Sequence, residues 1–516
     1  MVEPPDPPDP PRPPSPSPSG AGEASGPEAP VPSPPDARRA TLVDRTVVLA
    51  AFALSRLLYG LAGVRYDTSS LLYSSQLLDQ TWLRDRLAES VFYLHAQPPA
   101  FNLFVGLVLR WSPLSPETSF HLAYLALGVV LALASHDLAR RLGAGRVLAV
   151  VVALVVSCSP TTVLYESWLS YEYPVATALV VLVDLVVRFG ERQRTGYLVG
   201  ASAVAALVVL TRSMMSPLWL LAVVACLVAY RWPPTWRAVA WATLPLVVVL
   251  AFVVKNQVVF GTPQLSSWFG YNLDKVVTSP LTDDQRRQLA DEGFTRTDPG
   301  TCTVGHDDVP ALAEVHKPTP PPPGEDPIEN FNQECLVAKY EALQADAVTV
   351  ARAHPGWVAR NVVGAAEIWA SPASLSPFVY DNRQAVAGVD DVWRRLVLLD
   401  VAWDPPVAVP TAWPVGVSAP DRRFHVSVLL VVATAVVAAV GLVSLVRWRR
   451  RDARSLALAV GGLTVAYAAV VATVLEYGEN NRIRFVAEPL TVVLFVVILA
   501  NGVRAARDRW WAGRSG

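Results

Sequence analysis

Two kinds of charged residue lie next to apolar segments of this chain, a carboxylate near one end and two arginines near the other. Asp67 follows the first long apolar run, in VRYDTSSLL, and Arg482 and Arg484 precede the last one, in EYGENNRIRFVAEPL. A carboxylate can accept a proton from an attacking hydroxyl group. A guanidinium group matches two phosphate oxygens at once. The two features together predict chemistry on a phosphorylated molecule and a hydroxyl-bearing one.

Both assignments have a structural alternative. Asp67 stands before Thr-Ser-Ser, and aspartate at such a position commonly caps the N-terminus of a helix. The arginines have three acidic neighbours, Glu476, Glu479 and Glu488, which could neutralise them without a ligand. The sequence leaves both alternatives open.

Three further polar residues lie at the ends of apolar runs. His95 and Gln97 precede two consecutive prolines, which suit the first turn of an apolar helix. His95 could orient a phosphate or an acceptor hydroxyl, or it could be a polar cap with no further role. Lys255 ends the run before the long polar loop, where it could contact a ligand.

The carboxylates of the short segment YESWLSYEYP and one later arginine are also candidates. Glu166 and Glu172 could face a cavity shared with Asp67, or belong to an ordinary polar loop. Arg212 is flanked by apolar residues. An arginine near a membrane surface is costly unless it pairs with an acid, has a functional role, or extends its charged end to water. Asp79 is predicted to lie on an exposed helix face.

The four cysteines form two groups. Cys302 and Cys335 lie in the long polar loop and predict a disulfide if that loop is extracytoplasmic. Cys158 and Cys226 lie inside apolar runs and are predicted to be buried thiols. Their spacing has no metal-ligand pattern, so no cofactor is predicted, although a divalent metal is not excluded.

Composition indicates a membrane protein. The chain has 516 residues, of which 52% are hydrophobic, and a formal net charge of −1 that gives no reason to expect nucleic acid binding. A helix needs roughly 20 apolar residues to cross a bilayer. The predicted fold is therefore an all-α polytopic bundle of about ten to eleven transmembrane helices. The ten clearest spans are 45–64, 118–139, 146–163, 171–189, 196–212, 214–231, 236–254, 425–446, 455–475 and 485–503.

The distribution of arginine predicts the orientation. Cytoplasmic loops carry the excess of basic residues, and ten spans with a cytoplasmic N-terminus put the basic clusters inside, including RWRRRDAR (447–454). Residues 98–111 are apolar but short, and counting them as a span would reverse the later loops. We therefore predict a re-entrant or interfacial helix there. The arginine-rich, Ala/Val-rich composition suggests a bacterial protein, and the positive-inside count over ten spans predicts a plasma membrane location with both termini cytoplasmic.

These elements predict five regions. They are a disordered Pro-rich tail (1–42), an N-terminal transmembrane catalytic core (43–254) with a first outer loop (65–117), a large extracytoplasmic loop (255–424), C-terminal transmembrane helices (425–503) and a cytoplasmic tail (504–516). Within the large loop, 328–353 and 354–370 are predicted to form interfacial helices.

The order of these motifs resembles the GT-C integral-membrane glycosyltransferases, particularly the protein O-mannosyltransferase and lipid A aminoarabinose transferase branch. An outer-loop aspartate (Asp67) is followed by a His-x-x-Pro-Pro element at His95, then by Arg212, and finally by the Arg-x-Arg-Phe…Pro element at Arg482. The resemblance covers about residues 45–503. Thr68 follows Asp67, where many relatives have an Asp-Glu pair, and the His-Pro-Pro element is stretched by two residues.

The resemblance implies transfer of a hexose or pentose from a polyprenyl-phosphate donor to an extracytoplasmic glycan, lipid or protein, with inversion. It implies that Asp67 is the base, that Arg482, Arg484, Lys255 and Arg212 hold the donor phosphate, and that His95, Gln97 and Glu166 orient the substrates. The donor and membrane lipids are the implied partners. The alternatives are a transporter or lipid flippase, which would use charges near the membrane midplane, and a scaffold without catalysis.

Overall fold

The computed structural model is almost entirely helical. It describes residues 35–230, 235–403, 424–446, 452–512 and 514. Residues 1–34 of the predicted disordered tail, and residues 447–451 of the arginine-rich loop used for the orientation, lie outside the described ranges.

The helices and strands follow each other in one long series. They are α1 (Pro35–Leu61), α2 (Ser70–Tyr73), α3 (Gln80–Asp85), α4 (Leu87–Phe92), α5 (Pro99–Trp111), α6 (Pro116–Arg141), α7 (Arg146–Cys158), α8 (Pro160–Glu166), α9 (Glu172–Arg192), α10 (Thr195–Thr211), α11 (Pro217–Tyr230), α12 (Trp236–Phe260), α13 (Phe269–Val277), α14 (Asp283–Asp291), α15 (Pro310–Ala313), α16 (Cys335–Ala353), α17 (Pro355–Ala370), α18 (Tyr380–Ala385), α19 (Ala387–Leu396), β1 (Asp400–Trp403), β2 (Phe424–Ser427), α20 (Val428–Val446), α21 (Ala453–Val474), α22 (Asn480–Phe485) and α23 (Glu488–Ala512).

Six of the described helices are long and apolar enough to cross a membrane, namely α6, α9, α12, α20, α21 and α23. The number rises to seven if α7 and α8, which meet at a bend of 51°, form one broken span. Every predicted span contains a helix, but the count of ten to eleven crossings is not confirmed. Helices α10 and α11 have only 17 and 14 residues, so at 1.5 Å per residue they reach at most about 25 Å.

The first helix, α1, differs from the prediction in where it begins and in whether it qualifies as a membrane span. It begins at Pro35, inside the segment 1–42 that the sequence predicts to be disordered. Proline fits the first turn of a helix, where its missing N–H is not needed. Although α1 has 27 residues, it is not among the six candidate spans, because Asp44, Arg45 and Arg56 interrupt its apolar stretch.

Helix α9 is the centre of the bundle. It is the most enclosed of the six candidate spans, with 67% of its apolar window buried, and it packs against α6, α10 and α21. Its N-terminus carries Glu172 into the end of the bundle where the arginines lie.

Helices α20 and α21 approach closely at Gly441 and Gly462. A Cβ added at Gly441 would lie only 2.5 Å from the Gly462 Cα. Small residues of this kind permit close helix packing in membranes.

The large loop forms a helical lobe in which α13 packs against α16 and α17. The structure confirms helices in both predicted regions, with the first beginning at Cys335. A disulfide joins Cys302 to Cys335, with their Cα atoms 5.4 Å apart. Cys226 is a buried free thiol, while Cys158 is only half-buried.

The predicted all-α class overlooks one small sheet. Strands β1 and β2 pair antiparallel, with Asp400 opposite Ser427 and Trp403 opposite Phe424. Strand β2 leads directly into α20, so the predicted span 425–446 starts in an extended conformation. The alternating residues of these two four-residue strands are too few to show a period of two against the surrounding apolar sequence.

Candidate active site

The arginine-bearing sequence forms a short buried helix, α22. Asn480 closes the turn before it by donating from Nδ2 to the carbonyl oxygens of Ala472 and Glu476, both at 2.7 Å. Gly478 adopts a φ of 108°, which a residue with a side chain rarely takes. All six residues of α22 are buried, so its two arginines are held in fixed positions at the end of the bundle.

Arg482 and Arg212, from distant parts of the chain, converge on one carboxylate. Glu172 is fully buried, and its Oε1 lies 3.1 Å from Arg212 Nη1 and 3.5 Å from Arg482 Nε. Arg482 Nη2 also lies 2.5 Å from Oε2 of Glu479. We call Arg212, Arg482, Glu172 and Glu479 the arginine cluster. Within the described residues, the Nε atoms of both arginines and Oε2 of Glu172 have no hydrogen-bond partner.

A lysine that the sequence does not single out completes the charge balance. Lys275 of α13 forms an ion pair with Glu476 next to the arginine cluster. Burial opposes ionisation of Glu479, but Arg482, Lys275 and Arg212 together lower its pKa below the ordinary value. Burial also disfavours the charge of Arg482, yet Glu479 and Glu172 raise its pKa above the ordinary value. Arg482 is therefore charged, and part of that charge is already matched by glutamates.

Arg484 is less well satisfied than Arg482. Its Nη2 lies 3.3 Å from Oε2 of Glu488, but none of its three guanidinium nitrogens has a hydrogen-bond partner within the described residues. It is 4% exposed and lines a cavity of about 10 Å³ with Trp369 and Thr434. Burial lowers the pKa of Arg484 below its ordinary value, and Glu488 opposes that effect. A buried donor without a partner is costly, so this residue requires an explanation beyond packing.

Asp67 and Arg482 of the arginine cluster both contact one short segment, residues 167–169. Its backbone N–H donates to the Ser167 carbonyl oxygen at 2.7 Å, and its carbonyl oxygen accepts from Leu169 N–H at 2.9 Å. Between these two residues lies Trp168, whose ring centroid is 5.9 Å from the Arg482 guanidinium carbon. Segment 167–169 is thus bonded to the Asp67 backbone and faces Arg482 through the Trp168 ring.

The capping alternative for Asp67 is partly supported. Its Oδ1 accepts from the Ser69 N–H at 2.7 Å, which orders the turn before α2. The side chain is half-buried, so the other carboxylate oxygen is not enclosed by this turn. A local structural contact and a chemical role are compatible at this position.

Glu166 belongs to a separate buried ion pair. It receives two hydrogen bonds from Arg56 of α1, at 2.7 and 2.6 Å, and one from the Tyr173 hydroxyl at 2.5 Å. The carboxylate fits because residue 128 is glycine, where a Cβ would lie 2.5 Å from Oε2. Its partners make Glu166 a link between α1, α8 and α9. The substrate-orienting role predicted for it stays a prediction.

His95 is at the centre of a fully bonded group, the histidine hub, formed by His95, Ser267 and Asn332. Its Nδ1 lies 2.8 Å from Ser267 Oγ and its Nε2 lies 2.9 Å from the Asn332 carbonyl oxygen. Asn332 Oδ1 also accepts from the backbone N–H groups of His95 and Ala96. Burial lowers the pKa of His95 to about 4, which keeps the ring neutral. Both ring nitrogens are occupied by protein atoms.

The two remaining candidates lie on the hub side of the molecule. Lys255 donates from Nζ to the Leu94 carbonyl oxygen at 2.9 Å and lies over the Phe260 ring. Gln97 is buried two residues after His95. Their described contacts are with this region and not with the arginine cluster, so the structure divides the predicted phosphate ligands into two groups.

Several residues at or near the site were not predicted. Arg56 is the clearest case, because an arginine inside an apolar run is itself a functional signal that the sequence analysis passed over. Trp168 and Lys275 had no distinguishing pattern. Asp79 was predicted to be exposed and is instead fully buried. It caps α3 by accepting from the Thr81 N–H and also accepts from Thr319, so its solvation is replaced by protein donors.

No metal centre is formed by the part of the chain that the structure describes, since it holds no group of three or more His, Cys, Asp or Glu residues positioned to bind an ion.

No family model and no curated protein matches this chain. Among solved structures, it is similar to the archaeal oligosaccharyltransferase AglB from Archaeoglobus fulgidus in complex with an inhibitory peptide and a dolichol-phosphate, at 13% identity and a TM-score of 0.35, over 90% of this chain and 52% of that one. The Archaeoglobus fulgidus oligosaccharyltransferase in the apo form matches at 14% identity and a TM-score of 0.33, over 91% and 52%.

A third structure, the same archaeal oligosaccharyltransferase tethered to an acceptor peptide, matches at 14% identity and a TM-score of 0.32, over 88% of this chain and 49% of that one. The chain thus spans about half the length of these enzymes. At such values the likeness carries no inference, and function has to be argued from the residues of the site.

Proposed function

We propose that this protein is an integral-membrane glycosyltransferase that transfers a sugar from a polyprenyl-phosphate donor to an acceptor hydroxyl on the extracytoplasmic side. The observation that supports the proposal is that Asp67 bonds to the backbone on both sides of Trp168, whose ring centroid lies 5.9 Å from the Arg482 guanidinium carbon. A transferase of this kind needs a base and a phosphate-binding group on the two sides of one sugar.

The arginines supply the phosphate-binding part. Within the part of the chain that the structure describes, Arg482 and Arg212 each keep one buried guanidinium nitrogen without a hydrogen-bond partner, and Arg484 keeps three. A phosphate is the ligand that best uses such donors, because it accepts several charge-assisted hydrogen bonds from a planar fork. As the donor breaks, negative charge grows on the departing phosphate, and positioned cations stabilise it without having to reorganise. Lys255 would act from the side of the histidine hub.

The reaction then follows as a single displacement. The acceptor hydroxyl oxygen attacks the anomeric carbon of the sugar from the face opposite the phosphate, and its proton passes to the Asp67 carboxylate. The bond between the anomeric carbon and the phosphate oxygen breaks, and its electron pair leaves with the polyprenyl phosphate. One displacement inverts the anomeric configuration. Gln97, His95 and Glu166 would act by keeping the surrounding loops in position.

Sugar transfer by membranes containing the protein tests the proposal, with a panel of radiolabelled polyprenyl-phosphate sugars and Asp67→Asn beside the native chain. Asparagine keeps an Oδ1 that accepts from Ser69 N–H, so the turn should survive. Loss of a general base lowers rates by roughly 10²- to 10⁴-fold, and we expect product formation to fall by that amount. Asp85→Asn, an exposed change in the same loop, is the control and should retain full transfer.

Two results would count against the proposal. Equal transfer by native and Asp67→Asn proteins would remove Asp67 from the mechanism. Absence of transfer and of released polyprenyl phosphate with every donor, in protein whose thermal unfolding is cooperative, would contradict the enzyme function itself.

One observation favours the alternative of a transporter or lipid flippase. The break of 51° between α7 and α8 resembles the discontinuous helices of transporters, and the buried Arg56–Glu166 pair lies at its end. Movement of a labelled polyprenyl-phosphate sugar across proteoliposomes, without release of polyprenyl phosphate, would support that alternative over sugar transfer.

A further inference from the structure

A cavity of about 410 Å³ lies in the lobe formed by the large loop, away from the arginine cluster. One wall is the segment between α12 and α13, with Thr262, Gln264 and Ser267. The other is one face of α16, where Tyr340, Glu341 and Gln344 follow each other at helical spacing. Its volume lies within the range of pockets that bind small molecules, roughly 300 to 1,000 Å³.

Three polar side chains of this cavity are not used by the protein itself. Within the described residues, the side chains of Gln264, Glu341 and Gln344 make no hydrogen bond or ion pair with another residue. Amide and carboxylate groups can each serve two neighbouring hydroxyl groups. The two walls therefore present planar hydrogen-bonding groups to whatever occupies the space between them.

The charge of the lining limits the ligand. Among the described residues that line the cavity, Glu341 is the one that is charged, and no arginine or lysine accompanies it. A phosphate or a carboxylate would be repelled, because like charges are disfavoured and no donor cation compensates. A neutral polyhydroxylated molecule suits both the amides and the acid.

We infer that this cavity binds a neutral glycan and, resting on the proposed function, that this glycan is part of the acceptor. Units remote from the reacting hydroxyl would be held here, so that their binding energy positions the acceptor for transfer. Ser267 connects the cavity to the histidine hub, since its hydroxyl lies 2.8 Å from His95 Nδ1 and its backbone N–H donates to the His95 carbonyl oxygen. The site thus lies against the stretched His-Pro-Pro element.

Saturation-transfer NMR on the full-length protein in nanodiscs, without any lipid donor, tests the inference. The probes are the methyl glycosides of mannose, glucose, galactose and arabinose. We expect saturable binding of at least one of them by the native chain. Ala345→Trp would fill the cavity and abolish binding, whereas Thr349→Trp, an exposed position on α16 outside the lining, would not. Glu341→Gln should weaken binding about tenfold, because hydrogen bonds to a charged group are the stronger ones.

Comparison of glucose with glucuronate tests the charge argument, and we expect the acid to bind more weakly to the native chain. Binding that persists unchanged in Ala345→Trp, or its absence from the native chain with every glycoside, would overturn the inference while leaving sugar transfer untouched. Loss of glycan binding in Ala345→Trp with binding retained in Thr349→Trp would support it. Glycan binding without any transfer by the native chain would contradict the proposed function and leave the site standing.

Discussion

The histidine hub and the three arginines Arg212, Arg482 and Arg484 are both buried polar groups. They differ in how many of their hydrogen-bonding atoms have a protein partner. Both ring nitrogens of His95 and the amide of Asn332 meet protein partners. Among the described residues, by contrast, no group accepts a hydrogen bond from any of the three guanidinium nitrogens of Arg484, and one nitrogen each of Arg482 and Arg212 also has no partner. Because most buried polar groups in proteins are paired, the second pattern is the unusual one.

The difference separates residues that hold the fold together from residues that are available to a ligand. A fully bonded group stabilises the loops that it connects, here the segments around residues 95, 267 and 332. A partly bonded cation carries a desolvation penalty that the protein itself does not offset, so a ligand can. Burial in the histidine hub therefore indicates a structural role, whereas burial of the partly bonded arginines indicates a ligand-binding role. Three variants can test that distinction.

The largest effect should come from replacing the Arg484–Glu488 pair by apolar residues of similar size. We expect Arg484→Met with Glu488→Leu to lower sugar transfer by roughly 10²- to 10³-fold, the usual loss when a positioned charge is removed. The midpoint of thermal unfolding should not fall, because replacing a buried pair in this way is often neutral or stabilising. Transfer assays and thermal unfolding of the same preparation measure both quantities.

The matched control for that variant is Arg383→Met. Arg383 pairs with Asp390, which is fully buried, at 2.9 Å, and its removal leaves a buried carboxylate without one of its partners. We expect a lower unfolding midpoint with normal transfer per folded molecule. Retained transfer in the Arg484→Met, Glu488→Leu variant would show that the unsatisfied nitrogens have no catalytic use.

The next largest effect should be the reverse pattern in the histidine hub. Asn332→Ala removes the acceptor of the His95 and Ala96 backbone N–H groups, at 2.9 and 3.0 Å. Each buried donor left unpaired costs about 1–3 kcal/mol, so the free energy of unfolding should fall by about 3 kcal/mol. Gln333→Ala is the control, since within the described residues the Gln333 side chain makes no hydrogen bond or ion pair. Unaltered stability of Asn332→Ala in chemical unfolding would refute the structural role.

The effect that is smallest per pH unit should appear in the pH dependence of stability. His95 has a pKa of about 4 in the folded protein against an ordinary value of 6.5. Between those values the unfolded chain binds the proton and the folded chain does not, so the free energy of unfolding decreases as the pH falls from 6.5 towards 4. The decrease is at most about 1.4 kcal/mol per pH unit. Unfolding should be followed at several pH values within that window.

His95→Gln should remove this contribution, and His121→Gln, at an exposed position, should leave it in place. The same slope in native and His95→Gln proteins would mean that His95 is not the group that titrates.

Much of the architecture could be predicted, because apolar length and helical period are local properties. Every predicted span contains a helix, and α16 and α17 lie where their apolar positions indicate. The count of crossings could not be predicted, since α10 and α11 end early and α7 bends at Ser159 before α8 begins. Those breaks depend on packing against neighbours that a hydropathy window does not contain.

For the site, the sequence identified which residue types were candidates, but it did not show which residues pair with each other. Arg212 and Arg482 were candidates from sequence, and they do meet. That they meet on Glu172, that Lys275 joins them, and that Glu166 is instead taken by Arg56 required contacts between residues far apart in the chain.

The sequence alone determined that this protein has long apolar helices, a polar loop with two cysteines, and arginines beside the last apolar segment. It did so because hydrophobic length and charge are carried by each residue independently of its neighbours in space. Only the tertiary structure decided which of the buried charges are satisfied. Hydrogen bonds require distances near 3 Å and suitable angles, and those arise only when α9, α10 and α22 pack against each other.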